Sequence, residues 1–421
     1  MANTKLNRTA GSTGNRKTWT WSGWVKRAAV PGTADSKGGL FATYTDTNNR
    51  LDFGVDSNHR FFFKEKESSS TVIDFTSTRL FRDPSAFYHF VIAVDTTDST
   101  AADRVKVYVN GERITSWLDS TAPSQNRDTL MNVSGRTYII GSTDGSSNYW
   151  NGVMSHVHFC DGTALASTVF GETDSTTGEW TINTSPSFTL GTNGFTVLKD
   201  GNTITDQSSN SNNFSLGGGT LTKTEDCPSN VFATLSAVYK NFNQPTFTQG
   251  NTTTSSASSG YFNAFSSIAV STGKYYAEIK RGSSESQIGI SSLNDAESLL
   301  NGTDYYIGET SKSLGISSGD GKYRIGTTGT TYGSSYTTGD IIGLALDLDN
   351  KKLYASKNGA WSNGSGTWDS TTFNASTGAI DISSIIPSGE YAYIGFSIGD
   401  PGTGFNANFG NGYFGTTAVS S

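Results

Sequence analysis

The chain has 421 residues, 48 of them Gly, with 16% charged residues and a formal net charge of −7. That length exceeds one ordinary core and allows two of about 200 residues each, and the charged fraction is below the roughly 25% of an average globular protein. Ser, Thr and Asn supply the polarity instead, no apolar run approaches 18 residues and no apolar leader opens the chain, so a soluble protein made in a cytoplasm, without membrane insertion, is expected. Only Cys160 and Cys227 occur, too few to staple a secreted scaffold of this size. The fold must stand on packing, with both thiols reduced.

In chain order, residues 1–34 hold Lys5, Arg8, Arg16, Lys17, Lys26 and Arg27 and no acid. A nucleic-acid protein spreads basic charge over a folded face and interleaves it with aromatics, so nucleic acid is not an expected partner. Residues 1–17 have almost no apolar content and read as a basic arm that takes its order from a partner, with Lys5, Arg8, Arg16 and Lys17 as candidate anchors. "TWTWSGWVKR" (18–27) follows, with Trp19 and Trp21 on one strand face, as core, and Thr18, Thr20 and Ser22 on the other. "GLFATYT", "RLDFGVD", "RFFFKEK" and "FYHFVIAVD" continue to residue 95, and "VKVYVNGERI" (105–114) is a hairpin. Its Asn110-Gly111 suits a type I′ turn, where both central residues need positive φ. "RTYIIGSTDGSSNYWNGVMSHVHF" (136–159) completes a series of short strands separated by turn signals.

From Tyr239 the pattern restarts: a polar lead-in, then "GKYYAEIKRGSSESQIGISS" (273–292), "GDIIGLALDLDNKKLYASKNGAW" (339–361), "EYAYIGFSIG" (390–399) and "GFNANFGNGYF" (404–414). Asn358-Gly359 repeats the hairpin signal. Only "LNDAESLLNG" (293–302) carries a hint of helical periodicity. The prediction is all-β: two antiparallel β-sandwiches in tandem, at 18–235 and 236–421.

The first series, with "WVKR", "VKVYVNGE", "YIIGS" and "WNGVMSHVHF", resembles laminin-G-like, concanavalin A-type lectin domains. Such domains usually open with an apolar strand, a polar turn and another strand, which are absent before Trp19. They occur instead in "NGFTVLKDGNTITDQSSNSNNFSLGGGTL" (193–221), so strands from 193–222 are expected to close the first sandwich, as in a circular permutation. The second series resembles the SPRY domain, which implies a β-sandwich that displays loops for recognition. More narrowly, "LNRTAGSTGNRKTWTWSGWVKR", "DGTALASTVFGETDSTTGEW" and "DCPSNVFATL" look like a family of bacteriophage structural proteins, often tail-fibre-like.

Catalytic and metal chemistry find little support. A glycosidase pair of carboxylates has Glu172 with Asp174, or Asp347 with Asp349, as its best candidates. The first pair reads as turn-stabilising and the second as the solvent face of a strand. His156 and His158 share a strand face without a third ligand nearby and read as a paired, partly exposed face. Asp144 and Asn148 are weak calcium candidates in a loop that is equally an ordinary turn, and no cofactor is otherwise expected. "GISSGDGKY" (315–323) departs from the phosphate-loop spacing and reads as a turn.

What remains is binding. Aromatic rings in turn-rich segments are the candidates for a recognition face: Tyr149 in the first domain, and Tyr305, Tyr306, Tyr332, Tyr336, Trp361 and Trp368 in the second. Burying all six of the latter needs core space that loops rarely have, so at least three are expected exposed and close together. The resemblance then implies a non-enzymatic virion protein, a tail fibre or capsid-surface component assembled in a bacterial cytoplasm. Its partners would be other virion proteins, a host-surface glycan or protein, and further copies of itself. A tail-associated glycan-degrading enzyme and a soluble cellular lectin are the rival readings.

Overall fold

The computed structural model describes residues 3–28, 37–199, 201, 203–240, 245–256, 260–301, 305–369, 371, 374–399, 401–415 and 417–419. The chain divides into two compact units, Met1–Val231 and Phe232–Ser421. The boundary lies four residues before the one expected from the sequence.

Among the described residues the first unit holds a sheet of eight strands and one of six. The larger runs in the order Trp117–Thr121, Ser70–Leu80, Arg60–Glu67, Asn49–Val55, Gly38–Asp46, Thr137–Ile140, Lys5–Thr9 and Ser215–Gly218. The smaller runs Phe195–Val197, Gly152–Asp161, Thr18–Arg27, Phe87–Asp95, Val105–Val109 and Glu112–Arg113. Period-two alternation aligns Phe41, Phe53, Phe63 and Phe75 directly across four neighbouring strands of the larger sheet. Trp19 and Trp21 of the facing sheet are wholly buried against this row, Trp21 edge-on to Phe53 at 5.1 Å and Trp19 edge-on to Phe63 at 6.0 Å. The late strands Phe195–Val197 and Ser215–Gly218 pair with Gly152–Asp161 and Lys5–Thr9, both of the first unit.

Residues 3–17 are part of this sandwich rather than an arm awaiting a partner. Lys5–Thr9 is paired on both sides, with Thr137–Ile140 and Ser215–Gly218, and Leu6 and Ala10 are buried. Farther on, the Asp161 carboxylate accepts hydrogen bonds from the backbone N–H of Asn15 at 2.7 Å and of Asn193 at 3.0 Å, and from Asn132 Nδ2 at 2.9 Å. Two buried apolar side chains suffice because the neighbouring strands satisfy the backbone.

The second unit pairs a sheet of seven strands with one of nine among the described residues. Ile288, Ile290, Leu314, Ile316 and Phe396 on one sheet and Ala277, Ile279, Ile342, Leu344 and Phe405 on the other fill its interior. A helix does form at Leu293–Asn301, its first turn capped by the Ser292 hydroxyl, which accepts from Asp295 N–H at 3.2 Å. It covers the outer side of the seven-stranded sheet, where Ala296 and Leu299 join Phe265, Ile307 and Tyr393 in a separate apolar cluster.

Both Asn-Gly hairpins are built alike. Asn110 and Asn358 each have φ of 49°, followed by Gly111 at 81° and Gly359 at 83°. Each Asn Oδ1 accepts the N–H of a residue on the adjoining strand at 2.8 Å, His89 for Asn110 and Ile341 for Asn358. The turn residue thus also ties its hairpin to the next strand.

Candidate binding surface

The structure separates the seven aromatic candidates. Tyr305 is 48% exposed; Tyr149, Tyr306, Trp361 and Trp368 are half-buried; Tyr332 and Tyr336 are at most 2% exposed. The expected face made of loop rings is therefore corrected: two rings belong to the core. Tyr332 Oη donates to Gly378 O and accepts from Ala355 N–H, both at 2.9 Å, while Trp368 packs edge-on against its ring at 6.0 Å. Tyr336 Oη donates to Ile316 O at 2.7 Å. Loop residues occupy core space here because each phenol finds a buried backbone partner. Burial pushes the Tyr332 hydroxyl up to about 12 and raises that of Tyr336 as well. Tyr306 packs on Tyr261 at 5.0 Å, and the Tyr149 hydroxyl turns back to Gly145 O at 3.4 Å.

Trp361 instead meets a residue that loop-based reasoning missed. Tyr276, 50% exposed on the strand Lys274–Lys280, lies 6.2 Å from Trp361 on the outer side of the nine-stranded sheet. Its hydroxyl donates to Glu278 Oε1 at 2.9 Å, and Asn408 Nδ2 donates to Glu278 Oε2 at 3.2 Å. Burial, reinforced by the Glu278 carboxylate, pushes this phenol up to about 12. The signal was present: "YYAEIK" sets Tyr276, Glu278 and Lys280 on one strand face. Tyr275, on the same strand face as the buried Ala277 and Ile279, is 43% exposed near the start of its strand.

The basic residues near the N-terminus are largely spent within the first unit. Lys5 Nζ donates to Gly145 O, and Arg8 donates to Asn212 Oδ1 with its guanidinium 5.6 Å from the Tyr138 ring centroid. Arg16 Nε donates to Thr129 O at 2.9 Å. Lys17 is half-buried, beside Asn15, whose Oδ1 accepts the Lys17 N–H at 2.9 Å.

The histidine face is buried rather than partly exposed. His89, His156 and His158 are at most 8% exposed, with Trp24 stacked on His89 at 4.6 Å and Phe170 on His158 at 5.6 Å. Residues 163–190, with a short hairpin of Gly171–Thr173 and Trp180–Ile182, supply the covering Phe170, Trp180 and Phe188. Burial brings His89 down to about 3 and, aided by the neighbouring His156, His158 to about 3. Glu172 lies in that hairpin, exposed, and Asp174 Oδ1 accepts the N–H of Thr176 and Thr177 at 2.8 Å. Asp347 holds Asn350 and Lys274, and Asp349 Oδ1 accepts Gly273 N–H at 2.8 Å. Asp144 Oδ1 accepts Ser146 and Ser147 N–H at 2.7 and 2.6 Å, and Asn148 Nδ2 donates to Thr143 Oγ1 at 3.0 Å, so both side chains organise their own loop. Among the described residues no three or more His, Cys, Asp or Glu side chains gather as a metal site, and no helix is long and apolar enough to cross a membrane.

The fold is thus an all-β pair of sandwiches. Residues 3–170 match the family of the concanavalin A-like lectin/glucanases superfamily, and the strands at 195–197 and 215–218 extend its sheets beyond the matched stretch. No curated protein matches the chain. Among solved structures, the chain is similar to the SPRY domain of human HERC1, with 16% identity over 42% of this chain and 98% of that one and a TM-score of 0.31. It is also similar to the TRIM65 PSpry domain, with 11% identity, 42% and 89% covered and a TM-score of 0.32. The native heptameric SAP-like pentraxin from Limulus polyphemus is a third, with 15% identity, 39% and 72% covered and a TM-score of 0.28.

Proposed function

We propose that this chain is a non-enzymatic structural and adhesion protein of a bacteriophage particle, on a tail fibre or the capsid surface. The first unit attaches it to other virion proteins, and the second, SPRY-like unit contacts the host surface. One observation carries the attachment role: the three stretches that resemble bacteriophage structural proteins all meet on the strand Thr18–Arg27. The N-terminal stretch leads into that strand. Thr20 Oγ1 donates to Thr163 O and accepts from Leu165 N–H, both at 2.8 Å, which fastens "DGTALAS" to it. Lys26 Nζ pairs with Asp226 of "DCPSN" at 2.8 Å, both side chains 2% exposed. A motif set that folds into one structural unit, rather than around a cleft with paired carboxylates, favours a scaffold role over hydrolysis.

The reading is tested by mass spectrometry of purified particles together with incubation of the pure protein with host envelope polysaccharide. The chain is expected in the particles at stoichiometric abundance, with no release of reducing ends. Its absence from particles supports a cellular lectin, and release of reducing ends supports an enzyme; either result overturns the proposal.

A further inference from the structure

The two outer faces of the second unit are treated differently. The helix Leu293–Asn301 covers one. The other, on the nine-stranded sheet, carries a row of directly paired positions, Asn408, Glu278, Gly343, Ser356 and Trp361, of which Glu278 and Trp361 are half-buried and the other three buried. The middle of the row is small. A Cβ at position 343 would lie 2.5 Å from Tyr276 Oη and 2.6 Å from Ser356 Oγ, so the glycine is what lets the Tyr276 ring lean across the sheet. Half of that ring remains exposed, beside Trp361. Tyr354 stands on the same face, paired with Ala345, itself paired with Tyr276.

We propose that this face binds a neutral saccharide, stacked on Tyr276 and Trp361 and hydrogen-bonded by Glu278. Three features decide the occupant. The rings are flat apolar surfaces with polar rims, suited to the C–H face of a sugar ring. The Glu278 carboxylate has about four lone-pair positions, of which Tyr276 and Asn408 use two, leaving acceptors for sugar hydroxyls. The face holds no excess of cations: Glu278 is flanked on its own face by Lys280, Asp369 pairs directly with Trp361 at the end of the row, and Lys274 pairs with Asp347 at 3.2 Å and Lys352 with Asp381 at 2.9 Å. An anionic glycan would find no excess cation, and a protein partner would find a platform broken by a carboxylate rather than a continuous apolar core.

The inference rests on the second unit being the recognition module, and its test uses the purified full chain, so that its outcome stands apart from the virion reading. A glycan array with neutral, uronic-acid and sialylated oligosaccharides is probed with wild-type protein and with Tyr276→Ala, Tyr276→Phe and Gly343→Val. Wild type is expected to bind neutral glycans, Tyr276→Phe to keep binding, and Tyr276→Ala and Gly343→Val each to weaken it at least tenfold, with Tyr276→Ala melting at the wild-type temperature. Trp361→Ala, which leaves Tyr276 in place, is the second stacking variant should Tyr276→Ala melt early. Binding to acidic glycans only, no neutral binding, neutral binding that survives loss of either ring, or a displayed peptide that competes at Tyr276 overturns the proposal. Glycan binding by a chain absent from particles would sink the virion reading alone.

Discussion

The indole Nε1 of Trp180 donates a 3.0 Å hydrogen bond to Nδ1 of His89, whose Nε2 lies 2.9 Å from Ser22 Oγ. His89 is thereby held neutral, with its proton on Nε2, and a second proton would face the Trp180 N–H. With folded values of about 3 against an unfolded value of about 6.5, His89 and His158 each stabilise the fold fully above pH 6.5 and lose that contribution as pH falls toward 3.

Glu65 opposes them. Burial pushes its carboxyl up to about 7, despite Arg127 at 3.6 Å, so it favours the folded state more as pH falls from 7 toward 4.5. Between pH 7 and 5 each histidine costs about 2 kcal/mol while Glu65 returns about 2. Wild-type stability, followed by urea titration, is expected to drop by less than about 2 kcal/mol from these groups, and that of Glu65→Gln by about 4. An identical pH profile for both proteins would show that Glu65 is not protonated on folding.

Leu6 predicts the fate of an N-terminal truncation. Leu6→Ala is expected to cost about 2–4 kcal/mol by leaving a cavity. Deleting residues 2–15 strips a paired strand from between Thr137–Ile140 and Ser215–Gly218 and is expected to unfold the first unit, read as lost near-ultraviolet circular dichroism. A truncated chain with native stability would contradict the strand assignment.

Asp226→Ala leaves the Lys26 ammonium buried without its carboxylate, an expected loss of about 3–5 kcal/mol by chemical denaturation. Replacing both by Met and Leu is expected to restore most of that loss, because the apolar pair carries no desolvation cost. A double variant no more stable than Asp226→Ala would mean that the pair holds more than its own charges.

Tyr336→Ala is expected to destabilise the second unit by about 3–5 kcal/mol, whereas Trp361→Ala, half-buried on the outer face, is expected to cost less than about 1.5. Equal losses would place Trp361 in the core.

Cys160 is 1% exposed and Cys227 half-buried, both as free thiols. A thiol reagent is expected to label Cys227 in the native protein and Cys160 only on unfolding, read by peptide mass spectrometry.

The parts of the fold that were legible in the sequence rest on local rules. Asn110-Gly111 and Asn358-Gly359 signal their turns because few other pairs accept two positive φ values, and the aligned Phe rows follow from alternation. What escaped depends on distant partners. Leu6 stands among polar residues, and only its partners Ile140 and Leu216, 134 and more residues away, make it core. Tyr332 and Tyr336 sit in a Gly/Ser/Thr-rich loop, and their burial depends on carbonyls contributed by Gly378 and Ile316. Thr20 and Ser22, on the strand face opposite the tryptophans, are wholly buried, and the residues that cover that face lie at 163–190. Tyr276 lies on a strand, outside the loops where exposed rings are expected.

The central claim, that this two-sandwich chain is built into a bacteriophage particle and presents its second unit outward, is tested most directly by cryo-electron microscopy of the purified particle. Density for the first unit is expected in contact with other virion proteins, with the Tyr276 and Trp361 face open to solvent. A particle without the chain, or one in which that face is sealed against a virion protein, would contradict it.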